Sequence, residues 1–179
     1  MLEHELQSYL EKNCSVKCNN LQYEALKAAF VDSNDRLFDE ERQSGKSTAC
    51  CIAASMGALV VSVSSERTRN LRRIFRDCFE GKNTTNIISA QSNQLMGFRE
   101  SYCECVFFDD CFEIKRDFKE ELFNRIVPQI IIEIGTSVEY IPSTTGQAEP
   151  RQVGSPDNIF LTEELADLRE QKRVENKSW

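Results

Sequence analysis

The sequence predicts a three-layer α/β fold with a mainly parallel central sheet and helices on both of its faces. One observation is a short strand, a glycine-containing loop, a helix and a second strand in direct succession over residues 35–64. Another is a series of short β-branched apolar segments separated by segments with helical periodicity. Alternation of strands and helices indicates parallel pairing, because parallel strands need crossover connections.

In the N-terminal part, apolar residues at helical spacing predict two amphipathic helices ahead of the first strand, and Asn19-Asn20 indicates a turn and an N-cap before the second of them. The predicted elements are helices over residues 2–12 and 21–30, a strand over 35–39, a helix over 46–56 and a strand over 58–64. The strand over 35–39 is only half apolar and is predicted mainly from its position before the glycine loop. Gly57 is expected to stop the helix that follows this loop.

The second part continues the alternation. It predicts a helix over residues 65–79 capped by Ser64 or Ser65, strands over 87–88 and 105–108, a helix over 116–127 and a strand over 130–134. The predicted core of the domain, including the two N-terminal helices, spans residues 1–142. Residues 143–157 are rich in Ser, Thr, Gly, Gln and Pro and predict a loop or linker. Residues 158–179 predict a last strand, at 158–161, and a charged C-terminal helix.

Composition favours one globular domain: the chain has 179 residues, 40% of them apolar, and a formal net charge of -7. It contains no apolar run of transmembrane length, and its start carries Glu3, His4 and Glu5 instead of a basic and then an apolar stretch. We therefore expect a soluble, intracellular protein that does not contact a membrane. The acidic balance excludes a protein that coats nucleic acid non-specifically, so any nucleic-acid contact has to be local.

The eight cysteines form no CxxC pair. Cys14 with Cys18, or Cys103 with Cys105, could supply half of a metal site. The alternative is a set of reduced, mostly buried thiols, as expected for an intracellular protein.

The loop Arg42-Gln43-Ser44-Gly45-Lys46-Ser47-Thr48, here called the glycine loop, contains the end of a P-loop pattern. In that pattern backbone amides wrap a phosphate, a lysine reaches the β- and γ-phosphates and a hydroxyl binds magnesium. These roles are assigned here to Gly45, Lys46 and Ser47, with Gln43, Ser44 and Thr48 also at the phosphates. Glu40 stands where the pattern has its first glycine. The sequence thus predicts a P-loop NTPase that binds a nucleoside triphosphate and Mg²⁺. The alternative is an exposed helix N-terminus with an ordinary lysine.

Two carboxylates, Asp109 and Asp110, follow the apolar strand over 105–108, at the sheet edge where the glycine loop should also emerge. Asp109 is the candidate magnesium ligand beside Ser47, and Asp110 is the candidate general base for the attacking water. Two solvated loop aspartates are the alternative. Thr136, after the strand over 130–134, is a candidate sensor of the γ-phosphate, because ligands of parallel sheets lie beyond the carboxyl ends of the strands. A plain strand exit explains its spacing equally well.

The helix over 65–79 carries a basic stripe opposite its apolar face, formed by Arg69, Arg72, Arg73 and Arg76. Such a stripe suits DNA phosphates or the acidic edge of a neighbouring subunit. A solvated face paired with acidic side chains is the alternative.

The glycine loop resembles the variant Walker A motif of viral large terminase subunits, R-Q-x-G-K-[ST]-[ST], in which the first glycine is commonly missing. Phe107-Phe108-Asp109-Asp110 is similar to the terminase Walker B strand, and Ile134-Gly135-Thr136-Ser137 falls where that family has its coupling motif. The resemblance covers roughly residues 20–140. It implies that Arg42 acts as an arginine finger on the γ-phosphate, with a surface arginine as the alternative, and that Gln22 loosely matches a glutamine that contacts adenine.

Two departures qualify this resemblance. The family usually carries Glu where this chain has Asp110, whose shorter side chain implies slower hydrolysis. The terminase nuclease domain has no room after residue 142, so we expect an ATPase without a nuclease domain.

Three functions follow from these features. The first is an ATPase motor of the additional-strand P-loop class that packages viral double-stranded DNA in the host cell, as a homo-oligomeric ring or with other packaging proteins. The second is a P-loop nucleotide kinase, although two helices precede the loop here. The third is a nucleotide-binding switch or inactive module without turnover.

Overall fold

A computed structural model of the chain describes residues 1–14, 17–41, 43–80, 82–91, 103–126, 128–142, 148–161, 165 and 169–171. Five helices with bounded ends lie in this part of the chain. They are α1 (Glu3–Asn13), α2 (Asn20–Phe30), α3 (Lys46–Ser55), α4 (Ser65–Cys78) and α5 (Arg116–Ile126).

The strands of the same part are β1 (Arg36–Asp39), β2 (Leu59–Ser62), β3 (Ile87–Ser89), β4 (Cys105–Asp109), β5 (Ile130–Gly135), β6 (Val138–Pro142) and β7 (Ala148–Gln152). The first five strands form one sheet in the order β1-β5-β4-β2-β3, and every pairing in it is parallel. The predicted α/β class is therefore confirmed for the described residues.

Strands β2 to β5 are buried along their whole length, which explains why they are predominantly apolar in the sequence, whereas in the edge strand β1 only Phe38 is buried. In β4, Cys105 and Phe107 pack into a cluster with side chains of α2, α3 and α4. Val106 and Phe108 point the other way and pack with α5 and Phe160. Helices thus cover both faces, as the sequence predicted.

Local signals account for several element ends. The Asn19 side chain accepts a hydrogen bond from the Gln22 amide and caps α2, and Ser64 caps α4 in the same way through the Arg67 amide. Gly57 adopts a left-handed φ of 100° just after α3, where the helix was expected to stop.

The C-terminal part differs from its prediction. Residues 148–152, assigned to a loop, form β7, which pairs antiparallel with β6. The prediction of a strand at 158–161 is wrong. A 3-10 turn occupies Pro156–Asn158, and residues 159–161 are neither helical nor paired with a strand. Phe160 is buried there and its ring packs edge-on against that of Phe123 on α5, so its apolar character reflects packing and not strand pairing. In the predicted C-terminal helix, Leu165 and residues 169–171 are helical, and its other residues lie outside the described part.

All eight cysteines are free thiols, and Cys50, Cys51, Cys105 and Cys111 are buried. Within the described ranges, none of the helices is both long and apolar enough to cross a lipid bilayer.

The sheet brings three chain segments to one edge. β1, β4 and β5 run parallel, so the residues that follow them lie at the same, carboxyl edge. These segments are Glu40-Glu41, which precede the glycine loop, the Asp109-Asp110 pair and Gly135-Thr136. β5 lies between the other two strands, with Asp39 opposite Gly135 and Asp109 opposite Ile134.

Candidate functional site

The glycine loop joins β1 to α3 through a strongly curved backbone. Gln43 and Gly45 have positive φ values of 65° and 91°, and Gly45 is the N-cap of α3. The first amide to bond within the helix is that of Ala49, which donates to the Gly45 carbonyl over 3.0 Å. The amides of residues 46–48 therefore have no carbonyl partner within the helix, which makes this turn suited to an anion.

Two side chains from the start of α2 hold the loop from outside. Asn19 Nδ2 donates to the Ser44 carbonyl over 2.7 Å, and Gln22 Nε2 donates to the Gly45 carbonyl over 3.3 Å. A Cβ atom on Gly45 would lie 2.5 Å from Gln22 Nε2 and 2.8 Å from Asn19 Nδ2. Gly45 is thus needed both for its left-handed conformation and for the close approach of this tether.

Lys46 is buried, with 6% of its surface exposed. Its Nζ donates to the Glu41 carbonyl over 2.6 Å, to the Thr136 hydroxyl over 2.7 Å and to the Glu40 carbonyl over 3.1 Å. Burial lowers the pKa of Lys46 from its ordinary value, and the Asp110 and Asp109 carboxylates oppose that shift. The amine therefore lies among neutral oxygens at the start of the loop and near two negative charges.

Asp109 ends β4 and is completely buried, whereas the Asp110 side chain is partly exposed and its backbone adopts a left-handed φ of 57°. Burial and the neighbouring Asp110 raise the pKa of Asp109 to about 6, while Arg67 and Lys46 act in the opposite direction. The turn is closed by the Cys111 amide, which donates to the Ile134 carbonyl of β5 over 3.0 Å. Two carboxylates of different exposure thus lie beside the start of α3.

Arg67 joins these groups. Its Nε donates to Asp109 Oδ2 over 3.1 Å, and its Nη2 lies 3.0 Å from Asp110 Oδ2 and donates to the Ser47 hydroxyl over 3.1 Å. Burial lowers the pKa of Arg67, but Asp109 and Asp110 outweigh this effect and raise it overall. One guanidinium therefore bridges the candidate magnesium ligands and the candidate base.

These residues line a cleft of about 1050 Å³. Its walls include Gln43, Gly45, Lys46, Ser47, Thr48, Arg67, Asp110 and Thr136, together with Arg69, Arg73 and Arg76 of α4. Arg72 differs from the rest of the basic stripe, because its Nε and Nη2 both donate to the Ile87 carbonyl of β3, over 3.1 and 2.6 Å. The stripe thus splits into three arginines that face the cleft and one that anchors α4 to the sheet.

The site residues named from the sequence converge to different degrees. Gln43 to Thr48, Asp109, Asp110 and Thr136 come together at the sheet edge. Arg42 lies outside the described residues. Gln22 lies beside the loop, but its Oε1 accepts from the Asn19 amide and its Nε2 holds the Gly45 carbonyl. Its contact with adenine stays a prediction.

Sequence reasoning missed Arg67 and Asn19. Arg67 lies in the first turn of α4, directly after β2, and β2 pairs with β4 so that Ser62 is opposite Asp109. The pairing of β2 with β4 would have identified Arg67 as a neighbour of Asp109, but strand order cannot be predicted from one sequence. Asn19 was read only as a helix cap, a role that its Oδ1 fills while its Nδ2 holds the loop.

The donors at this edge fit a magnesium nucleotide. Ser47 and Asp109, the candidate magnesium ligands, carry oxygen atoms of the hard type that Mg²⁺ prefers, and Asp110 lies beside them. A cationic group, the Arg67 guanidinium, already lies against all three side chains, so their surroundings favour positive charge. Lys46 and the helix N-terminus supply donors for phosphate oxygens. The Ser44 hydroxyl is buried without a hydrogen-bond partner within the described part of the chain.

No protein-family model matches the chain, and no curated protein matches it significantly.

Proposed function

We propose that this protein binds a nucleoside triphosphate with magnesium at the glycine loop and hydrolyses it, as a P-loop ATPase. One observation carries the proposal: side chains from separate stretches of the chain line a single cleft at the carboxyl edge of a parallel sheet, namely Lys46, Ser47, Asp110 and Thr136. Asp109 is buried beside this cleft and is joined to its wall through Arg67. Ligands of such sheets bind at this edge.

In the proposed reaction, the amides of residues 46–48 and the Lys46 amine bind phosphate oxygens. Ser47 and Asp109 would hold magnesium, which when bound neutralises charge on the β- and γ-phosphates. Asp110 accepts a proton from the attacking water, a role for which its partial exposure is favourable. Thr136 orients Lys46 through the hydrogen bond between their side chains.

The strand order supports the additional-strand class of these enzymes. β5 lies between β1, which leads into the glycine loop, and β4, which ends in the two aspartates. This arrangement, together with the Arg-Gln before Ser44, favours the terminase-like ATPase over the nucleotide kinase. The three arginines of α4 in the cleft wall favour a polyanionic partner, which we propose to be double-stranded DNA. A homo-oligomeric ring, packaging partners, a host-cell location and the arginine-finger role of Arg42 remain proposals that rest on the resemblance.

A phosphate-release assay tests this proposal. Purified protein is given ATP and Mg²⁺, with and without double-stranded DNA, and then with a nucleoside monophosphate as acceptor. Turnover that DNA stimulates is expected for the motor. Phosphoryl transfer to the acceptor would instead show a kinase, and binding without turnover would show a switch.

Lys46→Ala is the decisive variant, with Lys12→Ala, on the exposed surface of α1, as its matched control. Lys46→Ala should abolish ATP binding, measured by calorimetry on protein whose circular dichroism shows it folded. Tight binding by this variant would overturn the proposal.

Arg42→Ala should slow hydrolysis by about a thousandfold or more while ATP still binds, and an unchanged rate would rule out the arginine-finger role.

A further inference from the structure

We propose that the Arg67 side chain takes the place of the magnesium ion in the free protein. It contacts the side chains that would bind the metal, and it has to leave them when the metal binds together with nucleotide. The inference rests on the proposed function and adds to it a positioning residue that competes with the metal. None of the sequence motifs above includes Arg67.

The geometry places Arg67 where a metal would have to be. Its guanidinium contacts Ser47 Oγ, Asp109 Oδ2 and Asp110 Oδ2 at 3.0 to 3.1 Å. Two of these oxygens belong to the proposed magnesium ligands, Ser47 and Asp109, and the third belongs to the proposed base, Asp110. A metal ion would coordinate the Ser47 and Asp109 oxygens far more closely, at roughly 2.1 Å, so the metal and the guanidinium exclude each other. The planar fork of arginine suits this bridging role in a way that the single amine of lysine does not.

Charge explains why a cation is needed there without the metal. Asp109 is fully buried and lies next to Asp110, and a buried carboxylate without compensation is strongly destabilising. Lys46 does not fill this role through direct contact, because its amine donates to the backbone carbonyls of Glu40 and Glu41 and to the Thr136 hydroxyl. Among the described residues, Arg67 is the cation with ion pairs to both carboxylates.

The position of Arg67 allows it to leave. The side chain is 34% exposed and lines the open cleft. It is attached to the first turn of α4, whose N-terminus is held by Ser64, so the side chain can swing while the helix stays in place. A bound triphosphate in the cleft offers the guanidinium a new anionic partner. Nucleotide therefore favours metal binding twice, by supplying phosphate ligands and by drawing Arg67 away from the carboxylates.

The competition between Arg67 and the metal can be tested without any turnover by measuring the binding of Mn²⁺ alone. The electron paramagnetic resonance signal of the free ion reports how much Mn²⁺ is unbound. The full chain, Arg67→Gln and Arg125→Gln are compared in alkaline buffer. Arg125 is the matched control, because it also pairs with a carboxylate, that of Glu121, but lies on α5 away from the cleft. Arg67→Gln should bind Mn²⁺ at least about tenfold more tightly than the unaltered chain, and Arg125→Gln should not differ from it.

Unchanged or weaker Mn²⁺ binding by folded Arg67→Gln would overturn the inference. If thermal denaturation shows that this variant does not fold, Arg67→Lys replaces it. That variant keeps the charge but not the three-point bridge, so its Mn²⁺ affinity should also exceed that of the unaltered chain, and equal affinity would count against the inference.

A second measurement separates this inference from the proposed function. ATP binding to the unaltered chain is measured in Mg²⁺. If ATP does not bind, the proposed function fails whatever Arg67 does. If ATP binds but its Mg²⁺-dependent gain in affinity is the same in the unaltered chain and in Arg67→Gln, the nucleotide-binding part of the proposed function stands and the competition between Arg67 and the metal is refuted.

Discussion

The amine of Lys46 donates a 2.7 Å hydrogen bond to the hydroxyl of Thr136, although 90 positions separate the two residues. The same hydroxyl donates to the Glu40 carbonyl over 2.6 Å. This contact connects the end of β1, the start of α3 and the end of β5. It therefore makes the position of the loop lysine depend on the strand that lies between the two site-bearing strands.

Thr136→Val should loosen this connection, because valine keeps the shape but removes the hydroxyl. We expect the free energy of unfolding to fall by about 1–2 kcal/mol, as for a lost buried hydrogen bond, and ATP turnover to fall by roughly tenfold. Denaturant unfolding and phosphate release measure the two effects. Thr136→Ser keeps the hydroxyl and is the control; if valine and serine behave alike, the hydroxyl does not hold Lys46.

Gly45→Ala should damage the glycine loop more than its backbone conformation alone explains. The added Cβ would displace Gln22 and Asn19, which hold the loop carbonyls. Gly57→Ala is the control, because Gly57 has a similar φ of 100° with no atom within 4 Å of an added Cβ.

We expect Gly57→Ala to cost about 1 kcal/mol of unfolding free energy and Gly45→Ala at least about 1 kcal/mol more. Thermal and denaturant unfolding measure both. Equal losses would show that the Asn19 and Gln22 tether contributes nothing.

Asp109→Asn should make stability respond differently to pH. The folded pKa of Asp109 is raised from 3.8 to about 6, so its protonation favours the folded state. That contribution is complete below the unfolded value and disappears as pH rises through about 6.

The free energy of unfolding of Asp109→Asn minus that of the unaltered chain should therefore increase as the pH is raised from about 4 to about 7. The shift should be up to about 3 kcal/mol, at about 1.4 kcal/mol per pKa unit. Denaturant unfolding across this range in metal-free buffer measures it. A difference that does not change with pH would contradict the raised pKa.

Lys119→Met should release the segment after the 3-10 turn. Lys119 Nζ lies 2.5 Å from Glu133 Oε1, both side chains are fully buried, and Lys119 also donates to the carbonyls of Cys111 and Asn158. Glu133 accepts from the amides of Phe160 and Leu161. Leaving Glu133 unpaired should cost about 3–5 kcal/mol.

Lys119→Met/Glu133→Gln should recover part of that loss, because glutamine is neutral and still accepts hydrogen bonds. Denaturant unfolding compares the single and double variants. A single variant as stable as the unaltered chain, or a double variant less stable than the single one, would show that the ion pair does not hold this segment.

Much of the fold could be predicted from the sequence, because the patterns that specify individual helices and strands are local. β-branched runs marked β2, β4 and β5, Asn19 and Ser64 marked helix starts, and the glycine loop marked the start of α3. The strand β7 was not predicted, because it forms by pairing with β6 and its own composition is that of a loop. The strand predicted at 158–161 failed for a related reason: the apolar residues there pack against α5 and β5 instead of pairing with a strand.

The sequence alone predicted which side chains form the candidate site: Lys46, Ser47, Asp109, Asp110 and Thr136 are residue types that can bind phosphate or magnesium, and each follows or opens a recognisable element. Only the tertiary structure decided how they are arranged. Strand order placed β5 between β1 and β4, turned three arginines of α4 towards the cleft, and brought Arg67 onto the two aspartates. The physical reason is that pairing between strands distant in sequence is set by packing of the whole sheet, which no local pattern encodes.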